Sequence, residues 1–288
     1  MVDELRTGPP GTAGPRAGDA VGEVPRVGYA LGEAPRVGDA FGELMRAALA
    51  ERAGRGPRPT YAGRVPRPVI EIVERDDGFI NGVPAARYLA GPAEWYDWER
   101  RALDRCDGHV LDVGAGAGRV ALALQDRGAQ VTALDISPGT VEVAAQLGVR
   151  DTVCTTVDDH ARSGRRYDTF AFFGNNLGLL ESRQRAPVLL AALAAQARPG
   201  ARIVAQGTDP YGTTDPAHLA YHQHNRDRGR LPGQLRIRSR YEGLATPWFD
   251  YLLCSVEELD QLVHDSPWRI GTVDAADAPI YVAELVLR

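Results

Sequence analysis

The feature that most constrains the fold is an apolar run that ends in an acid and then turns through three glycines into a helix. It spans residues 110–119, with the acid at Asp112 and the glycines at Gly114, Gly116 and Gly118. Glycine lets the backbone approach a ligand closely, and the N-terminus of the following helix offers free N–H groups to an anionic part of that ligand. The motif therefore predicts a nucleotide-type site between a strand and a helix.

Two nucleotide-type sites have glycine-rich turns of this kind, and the spacing separates them. A dinucleotide fingerprint needs G-x-G-x-x-G, and counted from Gly114 its third glycine falls at position 119, where Arg119 stands. Dinucleotide binding is therefore disfavoured. The spacing Asp-x-Gly-x-Gly-x-Gly instead resembles the first motif of the class I S-adenosylmethionine-dependent methyltransferases.

Strands and helices alternate around and beyond this motif. Strands are predicted at 109–113, 131–134, 152–154, 169–173, 202–205, 234–241, 248–254, 269–273 and 280–287, helices at 92–103, 119–127, 138–147, 183–197, 216–228 and 256–264, and a hairpin at 69–80. This alternation predicts an α/β fold with a mostly parallel sheet. The resemblance implies a Rossmann-like sheet of seven strands with an antiparallel last strand, and a small α+β insertion that caps the substrate.

Three further positions match the order of that family's motifs: the ends of the second and third strands, at 134–136 and 157–159, and the fourth strand itself, 167–173. The resemblance covers residues 109–206. It implies that Asp135, at the end of the second strand, binds the ribose hydroxyls of S-adenosyl-L-methionine and that Ile136 packs on the adenine. It also implies that Asp158, after the third strand, accepts a hydrogen bond from the adenine amino group. The cofactor residues predicted in this way are Tyr88, Asp112, Gly114, Ala115, Gly116, Gly118, Asp135, Ile136, Val157, Asp158, Phe173 and Gly174.

Composition changes sharply along the chain and predicts its domains. Residues 1–68 hold 12 of the 32 glycines and 9 of the 20 prolines, and a ten-residue unit recurs three times, ending with Pro35–Glu43. We predict that residues 1–68 form a mostly disordered tail, and that the part before Met45 is dispensable for folding. Met45 is itself an alternative translation start. The predicted plan continues with a hairpin-and-helix lid at 69–108, a cofactor-binding core at 109–206, a capping insertion at 207–255 and the end of the sheet at 256–288.

The loop after the fourth strand is the first candidate for the acceptor side. Gly174-Asn175-Asn176-Leu177 resembles the Gly-Asn-Ser-Phe stretch of glycine N-methyltransferases, with Asn176 and Leu177 in place of Ser and Phe. An amide can orient an amine or a hydroxyl without charging it, so we predict that Asn175 is catalytic and that both asparagines bind substrate. The alternative is that both are turn residues that tolerate a left-handed backbone.

The insertion supplies the remaining candidates. His218 and His222 lie four residues apart on one face of a predicted helix. Three interpretations are open: they act as general bases, they bind a metal for which the sequence offers no third ligand nearby, or they face solvent. Arg238 is the central member of an alternating arginine strand, 236–240, which predicts either an anion-binding face or a charged strand edge. Tyr211 and Trp248 complete the predicted substrate-binding set.

Charge and residue usage limit the classes of function. The chain carries 33 basic and 38 acidic residues, a net charge of −5, and all of its cations are arginine. A catalytic lysine and a Walker-type phosphate loop are therefore excluded. Three distant cysteines fit a reducing compartment, and no apolar run is long enough to cross a membrane, which predicts a cytoplasmic protein.

The sequence thus predicts a methyltransferase that moves a methyl group to N or O of a small molecule or short peptide, largely by positioning and without a metal. The alternatives are an RNA methyltransferase that uses the arginine strand, or a binding protein that keeps the cofactor fold without turnover. The net negative charge of the chain disfavours a nucleic-acid partner. No membrane partner is expected, and a homodimer is one expected assembly.

Overall fold

The computed structural model describes residues 35–54, 68–276 and 278–288, all within a unit that spans Glu33–Arg288. The strands are β1 (Arg36–Val37), β2 (Ile70–Arg75), β3 (Ile80–Pro84), β4 (His109–Val113), β5 (Gln130–Asp135), β6 (Thr152–Cys154), β7 (Tyr167–Phe172), β8 (Ala197–Thr208), β9 (Gln234–Tyr241), β10 (Leu244–Ala245), β11 (Phe249–Leu252), β12 (Trp268–Ala275) and β13 (Ile280–Leu287). The helices are α1 (Ala40–Arg52), α2 (Asp97–Leu103), α3 (Arg119–Asp126), α4 (Pro138–Gln146), α5 (Val157–His160), α6 (Ala186–Ala195), α7 (Pro216–Asp227) and α8 (Val256–Val263). Short 3-10 helices lie at Ala85–Leu89, Pro92–Glu94, Ala161–Ser163, Asn176–Leu180 and Pro210–Gly212.

Seven strands form a central sheet in the order β12-β13-β8-β7-β4-β5-β6. The strands from β8 to β6 run parallel, and β13 runs antiparallel beside β8. The predicted fold class is therefore confirmed. Because β7, β4, β5 and β6 are neighbours and parallel, the loops that follow them share one edge of the sheet, where open α/β sheets bind ligands.

Strand β4 shows why the central strands read as continuous apolar runs. Val110 packs in one buried cluster with Val120 and Leu124 of α3, and Leu111 packs in another with Phe170 of β7. Helices cover both faces of the sheet, so alternate residues of the strand are buried on both sides. This packing fixes the strand that leads into the glycine turn.

Strands of the predicted lid and of the predicted insertion, with β1 from the predicted tail, form one second sheet of six strands. Its order is β1-β10-β9-β2-β3, and β11 pairs with the other part of β9. The hairpin of β2 and β3 is thus completed by β9, which lies about 160 residues further along the chain and pairs antiparallel with β2. Neither segment forms this sheet without the other.

The predicted tail is wrong for its last described part, residues 35–54. Third-repeat residues form β1 and begin α1, and Leu44 and Met45 of α1 are 0% exposed. Leu44, Met45 and Ala48 have helical spacing, so they bury one face of α1 in a cluster with Val143 of α4. The first two repeats, and residues 55–67, lie outside the described residues.

The glycines that argued against a helix have a packing role. The Cα of Gly42 in α1 lies so close to α4 that a Cβ on Gly139 would come within 2.7 Å of it. A larger side chain at either position would push the two helices apart. In the described part of the chain, no helix is long and apolar enough to cross a membrane.

Candidate active site

The glycine turn after β4 adopts the backbone that only glycine takes easily. Gly114, Gly116 and Gly118 have φ values of +67°, +55° and +80°. A Cβ on Gly114 would lie 2.6 Å from Asn176 Nδ2, and one on Gly118 would lie 2.5 Å from Val149. At Gly116 the nearest atom to such a Cβ is Phe41 Cε1 at 3.9 Å, so this glycine faces open space under α1.

Asp135 at the end of β5 holds this turn in place. Its Oδ2 accepts a hydrogen bond from the Gly116 N–H at 2.8 Å, and its Oδ1 accepts one from the Ser137 N–H at 2.9 Å. Burial raises the pKa of this carboxyl, while the two backbone donors favour its charged form. The predicted ribose-binding acid therefore lies beside the glycine turn, as expected, and also braces it. The next residue, Ile136, is 71% exposed at the same edge.

Asp112 supports the turn from below. It is 2% exposed, and its Oδ2 accepts a hydrogen bond from the N–H of Ala121 in α3 at 3.2 Å. Burial raises its pKa to about 7, against the opposing charge of Arg119. This acid thus positions α3 against β4, while Ala115 and Gly116 form the surface of the turn above it.

The acids after β6 lie at the same edge. Val157 is buried at the start of α5, and Asp158 beside it forms an ion pair with Arg185. The predicted adenine-binding carboxylate is therefore already neutralised by a cation. Its position after β6 agrees with the resemblance, but contact with an adenine amino group requires sharing this carboxylate with Arg185.

The loop after β7 closes the edge on its other side. Phe173 is buried, Gly174 has φ +67°, and Asn175 has φ +70°. Asn176 Nδ2 donates to the carbonyl oxygens of Val113 and Gly114, both at 2.8 Å. Its amide nitrogen therefore holds the glycine turn, and a substrate role for Asn176, which stays a prediction, would have to use its Oδ1.

Asn175 is also partly engaged. Its Oδ1 accepts a hydrogen bond from the hydroxyl of Thr208 in β8 at 2.9 Å, and its carbonyl accepts one from the phenol of Tyr251 in β11 at 2.6 Å. The left-handed backbone agrees with the turn alternative. The amide Nδ2 remains the group that Asn175 can offer to an acceptor.

Sequence reasoning missed Glu71, a buried acidic side chain of the second sheet. This residue of β2 is 5% exposed and accepts a hydrogen bond from the hydroxyl of Tyr88. Tyr88 in turn packs edge-on against Phe41, with 5.2 Å between ring centroids, and Phe41 lies over Gly116. A continuous chain of contacts therefore joins the predicted cofactor turn to a buried carboxyl.

The second sheet approaches the loop after β7 through Tyr251. A Cβ on Gly178 would lie 2.3 Å from the Tyr251 ring, so only glycine fits there. Burial raises the pKa of Tyr251, and the negative charge of Glu71 adds to this shift. Glu71 and Tyr251 thus belong to the same face of the second sheet, which is the face turned towards the central sheet.

The two predicted catalytic histidines pack against the hairpin turn. His218 contacts Phe79 edge-on at 4.8 Å between centroids, and His222 is 4% exposed. Their helix, α7, is fixed there by Tyr221, whose phenol donates to Asp76 at 2.7 Å. The described residues contain no hydrogen bond between either histidine and Asn175, so the structure gives no support to these histidines as bases. Nor do residues 35–54, 68–276 and 278–288 contain a group of three metal-ligating side chains.

The substrate-binding roles of Arg238, Trp248 and Tyr211 stay predictions, and the structure shows these side chains paired with other residues of the protein. Arg238 forms an ion pair with Glu74 at 2.8 Å and lies over the Trp248 ring at 4.5 Å. Strand alternation places Glu74 and Arg238 on the face of the second sheet opposite to Glu71. Tyr211 donates to Glu258 at 2.6 Å. These groups stabilise the second sheet and α8 rather than joining the edge described above.

The sequence shows why Glu71 and Phe41 were missed. Glu71 stands between Ile70 and Ile72 in a strand whose alternating pattern does not say which face is buried. The buried face depends on packing against α1, and α1 lies in the segment that was assigned to the tail. Phe41, which links Glu71 to the glycine turn, lies in that same segment.

Comparison with known proteins finds a matching domain profile and similar folds. Residues 110–200 match the sequence profile described as "Methyltransferase domain". The fold is similar to that of an S-adenosylmethionine-dependent methyltransferase from Bacteroides fragilis solved with S-adenosylhomocysteine, with a TM-score of 0.70 and 24% identity, covering 86% of this chain and 94% of that one. A methyltransferase from Methanosarcina mazei has a TM-score of 0.51 and 15% identity, covering 67% and 98% of the two chains.

Matches to curated sequences are short. This chain is 49% identical over 55 residues to a ribosomal RNA small subunit methyltransferase A from Mycobacterium sp. (strain KMS), which is 19% of this chain and 16% of that protein. It is 40% identical over 57 residues to a ubiquinone biosynthesis O-methyltransferase from Xanthomonas oryzae pv. oryzae (strain PXO99A), covering 20% and 24% of the two chains. The matches thus span less than a quarter of either relative.

Residues 110–200 thus match a methyltransferase domain, and the fold that the resemblance implied, that of the S-adenosylmethionine-dependent methyltransferases, is confirmed.

Proposed function

We propose that this protein is an S-adenosylmethionine-dependent methyltransferase whose acceptor is a small molecule or a short peptide. The observation that carries the proposal is the edge formed by β7, β4, β5 and β6, where a left-handed glycine turn, a carboxylate and an exposed apolar side chain lie together. The methyltransferase-domain match over residues 110–200 supports the same function.

The residues at this edge fit S-adenosyl-L-methionine. Gly116 leaves room for a ligand next to the turn, because nothing lies closer than 3.9 Å to the position of its missing Cβ. Asp135 offers carboxylate oxygens to ribose hydroxyls, and Ile136 offers an exposed apolar surface to the adenine ring. When bound, this cofactor supplies an electrophilic methyl group on a sulfonium.

The protein's own contribution to the transfer is positioning. Phe41 and Tyr88 cover the turn from the side of α1, and Tyr251 and Asn175 cover it from the side of the second sheet. These groups exclude water and hold an acceptor atom in line with the methyl–sulfur bond. Asn175 Nδ2 orients the acceptor by a hydrogen bond.

A small acceptor is favoured over RNA by the fate of the arginine strand. Arg236 pairs with Asp250, and Arg238 and Arg240 both pair with Glu74. A nucleic-acid interface needs cations free to neutralise phosphates. The three arginines proposed for that role instead neutralise acids of the second sheet.

The test is calorimetric titration with S-adenosylmethionine, S-adenosylhomocysteine and NADH. We expect the first two to bind and NADH not to bind. Ile136→Asp is expected to weaken S-adenosylhomocysteine binding at least about tenfold, because it places a charge where adenine packs. Leu219→Asp on α7 is the matched control, since Leu219 is also an exposed apolar residue. NADH binding without S-adenosylmethionine binding would contradict the proposal.

Turnover is tested by incubating the protein with isotope-labelled S-adenosylmethionine and small-molecule or RNA fractions of a cell extract. Label in a small molecule supports the proposed acceptor class, and label in RNA supports the alternative. Binding without formation of S-adenosylhomocysteine in any fraction indicates a non-catalytic binding protein.

A further inference from the structure

Glu71 is a buried carboxyl that has no cationic partner. Within residues 35–54, 68–276 and 278–288, no ion pair includes Glu71, although Glu74 three residues later pairs with two arginines. The Tyr88 hydroxyl donates to Glu71, and Ser239 Oγ lies near enough to lower the pKa of Glu71 while having no hydrogen-bonding partner within 3.5 Å. A carboxylate that is buried without a cation is costly unless it is protonated or a ligand supplies the missing charge.

Glu71 lies between the two loops that carry the proposed site. On one side, Tyr88 and Phe41 connect it to Gly116. On the other side, its charge acts on Tyr251, whose phenol is bonded to the carbonyl of Asn175. Glu71 is therefore linked through Tyr88 and Phe41 to the turn after β4, and it shares a face of the second sheet with Tyr251, which is bonded to the loop after β7. An acceptor must meet the methyl group between this turn and this loop.

We infer that Glu71 is the acceptor-binding carboxylate of this site and that the acceptor carries an amine at the methylated position. This inference rests on the proposed methyltransferase function and names its substrate class. An ammonium group supplies the missing cation and adds N–H donors for the carboxylate oxygens. Tyr88 holds the carboxyl in position by donating to it.

The same carboxyl balances the protons of the reaction. Glu71 takes one proton from the bound ammonium, which leaves a neutral amine with a free lone pair. The amine nitrogen forms the new bond to the methyl carbon, and the methyl–sulfur bond breaks with its electron pair remaining on sulfur. The products are S-adenosylhomocysteine and an N-methylammonium, and the protonated Glu71 releases its proton to solvent. Burial raises the pKa of Glu71, which suits it to hold that proton.

The test needs no knowledge of the acceptor. Sinefungin is an S-adenosylmethionine analogue in which an amine-bearing carbon replaces the sulfur, so its ammonium stands where the methyl group would be. Titration of the full chain with sinefungin and with S-adenosylhomocysteine gives the two affinities, and their ratio measures the preference for the ammonium group. We expect wild-type protein to prefer sinefungin, and Glu71→Gln to reduce sinefungin affinity about ten- to a hundredfold with unchanged S-adenosylhomocysteine affinity.

Glu74→Gln is the matched control, because it removes a charge from the same strand on the opposite face. We expect it to leave the sinefungin preference unchanged. If circular dichroism shows that Glu71→Gln does not fold, Glu71→Asp replaces it. The shorter side chain moves the carboxylate away from the ammonium group, so we expect a smaller preference for sinefungin over S-adenosylhomocysteine.

The outcomes separate the two proposals. If wild-type protein binds neither ligand, the proposed function fails. If it binds both ligands, and the Glu71 variant binds them both as tightly as wild type or loses the same affinity for each, the inference about Glu71 is overturned while the proposed function stands. Methylation on oxygen or carbon of an acceptor that has no nearby amine also overturns it.

Discussion

The phenol of Tyr251 donates a hydrogen bond to the backbone carbonyl of Asn175 at 2.6 Å, and this bond joins the second sheet to the loop after β7. Tyr251 lies in β11 of the second sheet and Asn175 in the loop after β7, 76 positions apart in the chain. The bond fixes the left-handed conformation of Asn175, with φ +70°, at the point where the acceptor is expected. Tyr251 is thus one residue of the predicted insertion that is bonded directly to the loop after β7.

We therefore expect Tyr251→Phe to lower the free energy of unfolding by about 1–3 kcal/mol, because it leaves a half-buried carbonyl without its donor. Urea unfolding measures this change. Tyr96→Phe is the control, since the described residues give the Tyr96 hydroxyl no hydrogen bond. An unchanged unfolding free energy for Tyr251→Phe would show that the bond does not order the loop.

The start of α1 gives a second prediction. Asp39 caps this helix by accepting the Gly42 N–H, and it also accepts hydrogen bonds from Ser137 Oγ at 2.6 Å and the Gly139 N–H at 2.7 Å. Asp39→Ala is expected to cost at least about 2 kcal/mol of unfolding free energy. Glu43→Ala in the same helix breaks only an exposed pair with Arg46 and should cost less than about 1 kcal/mol.

A chain that begins at Met45 lacks this cap and the first turn of α1. We expect it to melt several degrees below the full chain, contrary to the expectation from the repeats alone. Differential scanning calorimetry makes the comparison. Equal melting temperatures would mean that the Asp39 cap and the first turn of α1 add nothing to the stability of the domain.

The arginine strand gives a third prediction. Arg238→Ala leaves Glu74 with Arg240 alone, in a pair whose side chains are mostly buried, and should lower the unfolding free energy by about 1–3 kcal/mol. It should leave S-adenosylhomocysteine affinity unchanged, since Arg238 lies on the face opposite to Glu71. Arg236→Ala is the control and should change stability by less than about 1 kcal/mol, because its pair with Asp250 is exposed. Weakened cofactor binding by Arg238→Ala would place this strand in the site after all.

The buried histidine of α7 gives a pH prediction. Burial, and then the charges of Arg226, His218 and Arg75, lower the pKa of His222 below its usual value of 6.5. The unfolded chain therefore binds a proton at a higher pH than the folded one does, and stability falls as the pH drops below about 6.5. His222→Gln removes its share of this loss, whereas the share of His160, whose pKa burial also lowers, remains. Melting temperatures from pH 8 to pH 5 should fall less steeply in the variant; parallel curves would contradict the shift.

The sequence by itself determined the cofactor half of this protein. Gly114, Gly116 and Gly118 are local requirements, because each needs a left-handed backbone or a close approach that only glycine allows. Asp135 follows a strand in a parallel sheet, so its position at the ligand edge follows from strand order. These features depend on residues near one another in the chain, and the alternating strands and helices around them predict the fold.

Only the tertiary structure decided the acceptor half. Whether Arg238 binds a ligand or pairs with Glu74 depends on the pairing of β9 with β2, two strands about 160 residues apart in the chain. Whether Glu71 is exposed or buried depends on Tyr88 and on α1, whose helix forms because it packs against α4. A glycine-rich repeat opposes a helix by local propensity, and the burial of Leu44 and Met45 overrides that propensity. A local sequence pattern is enough to predict the backbone conformation of a turn or strand. The partners of a charged side chain, by contrast, depend on which distant segments of the chain pack together.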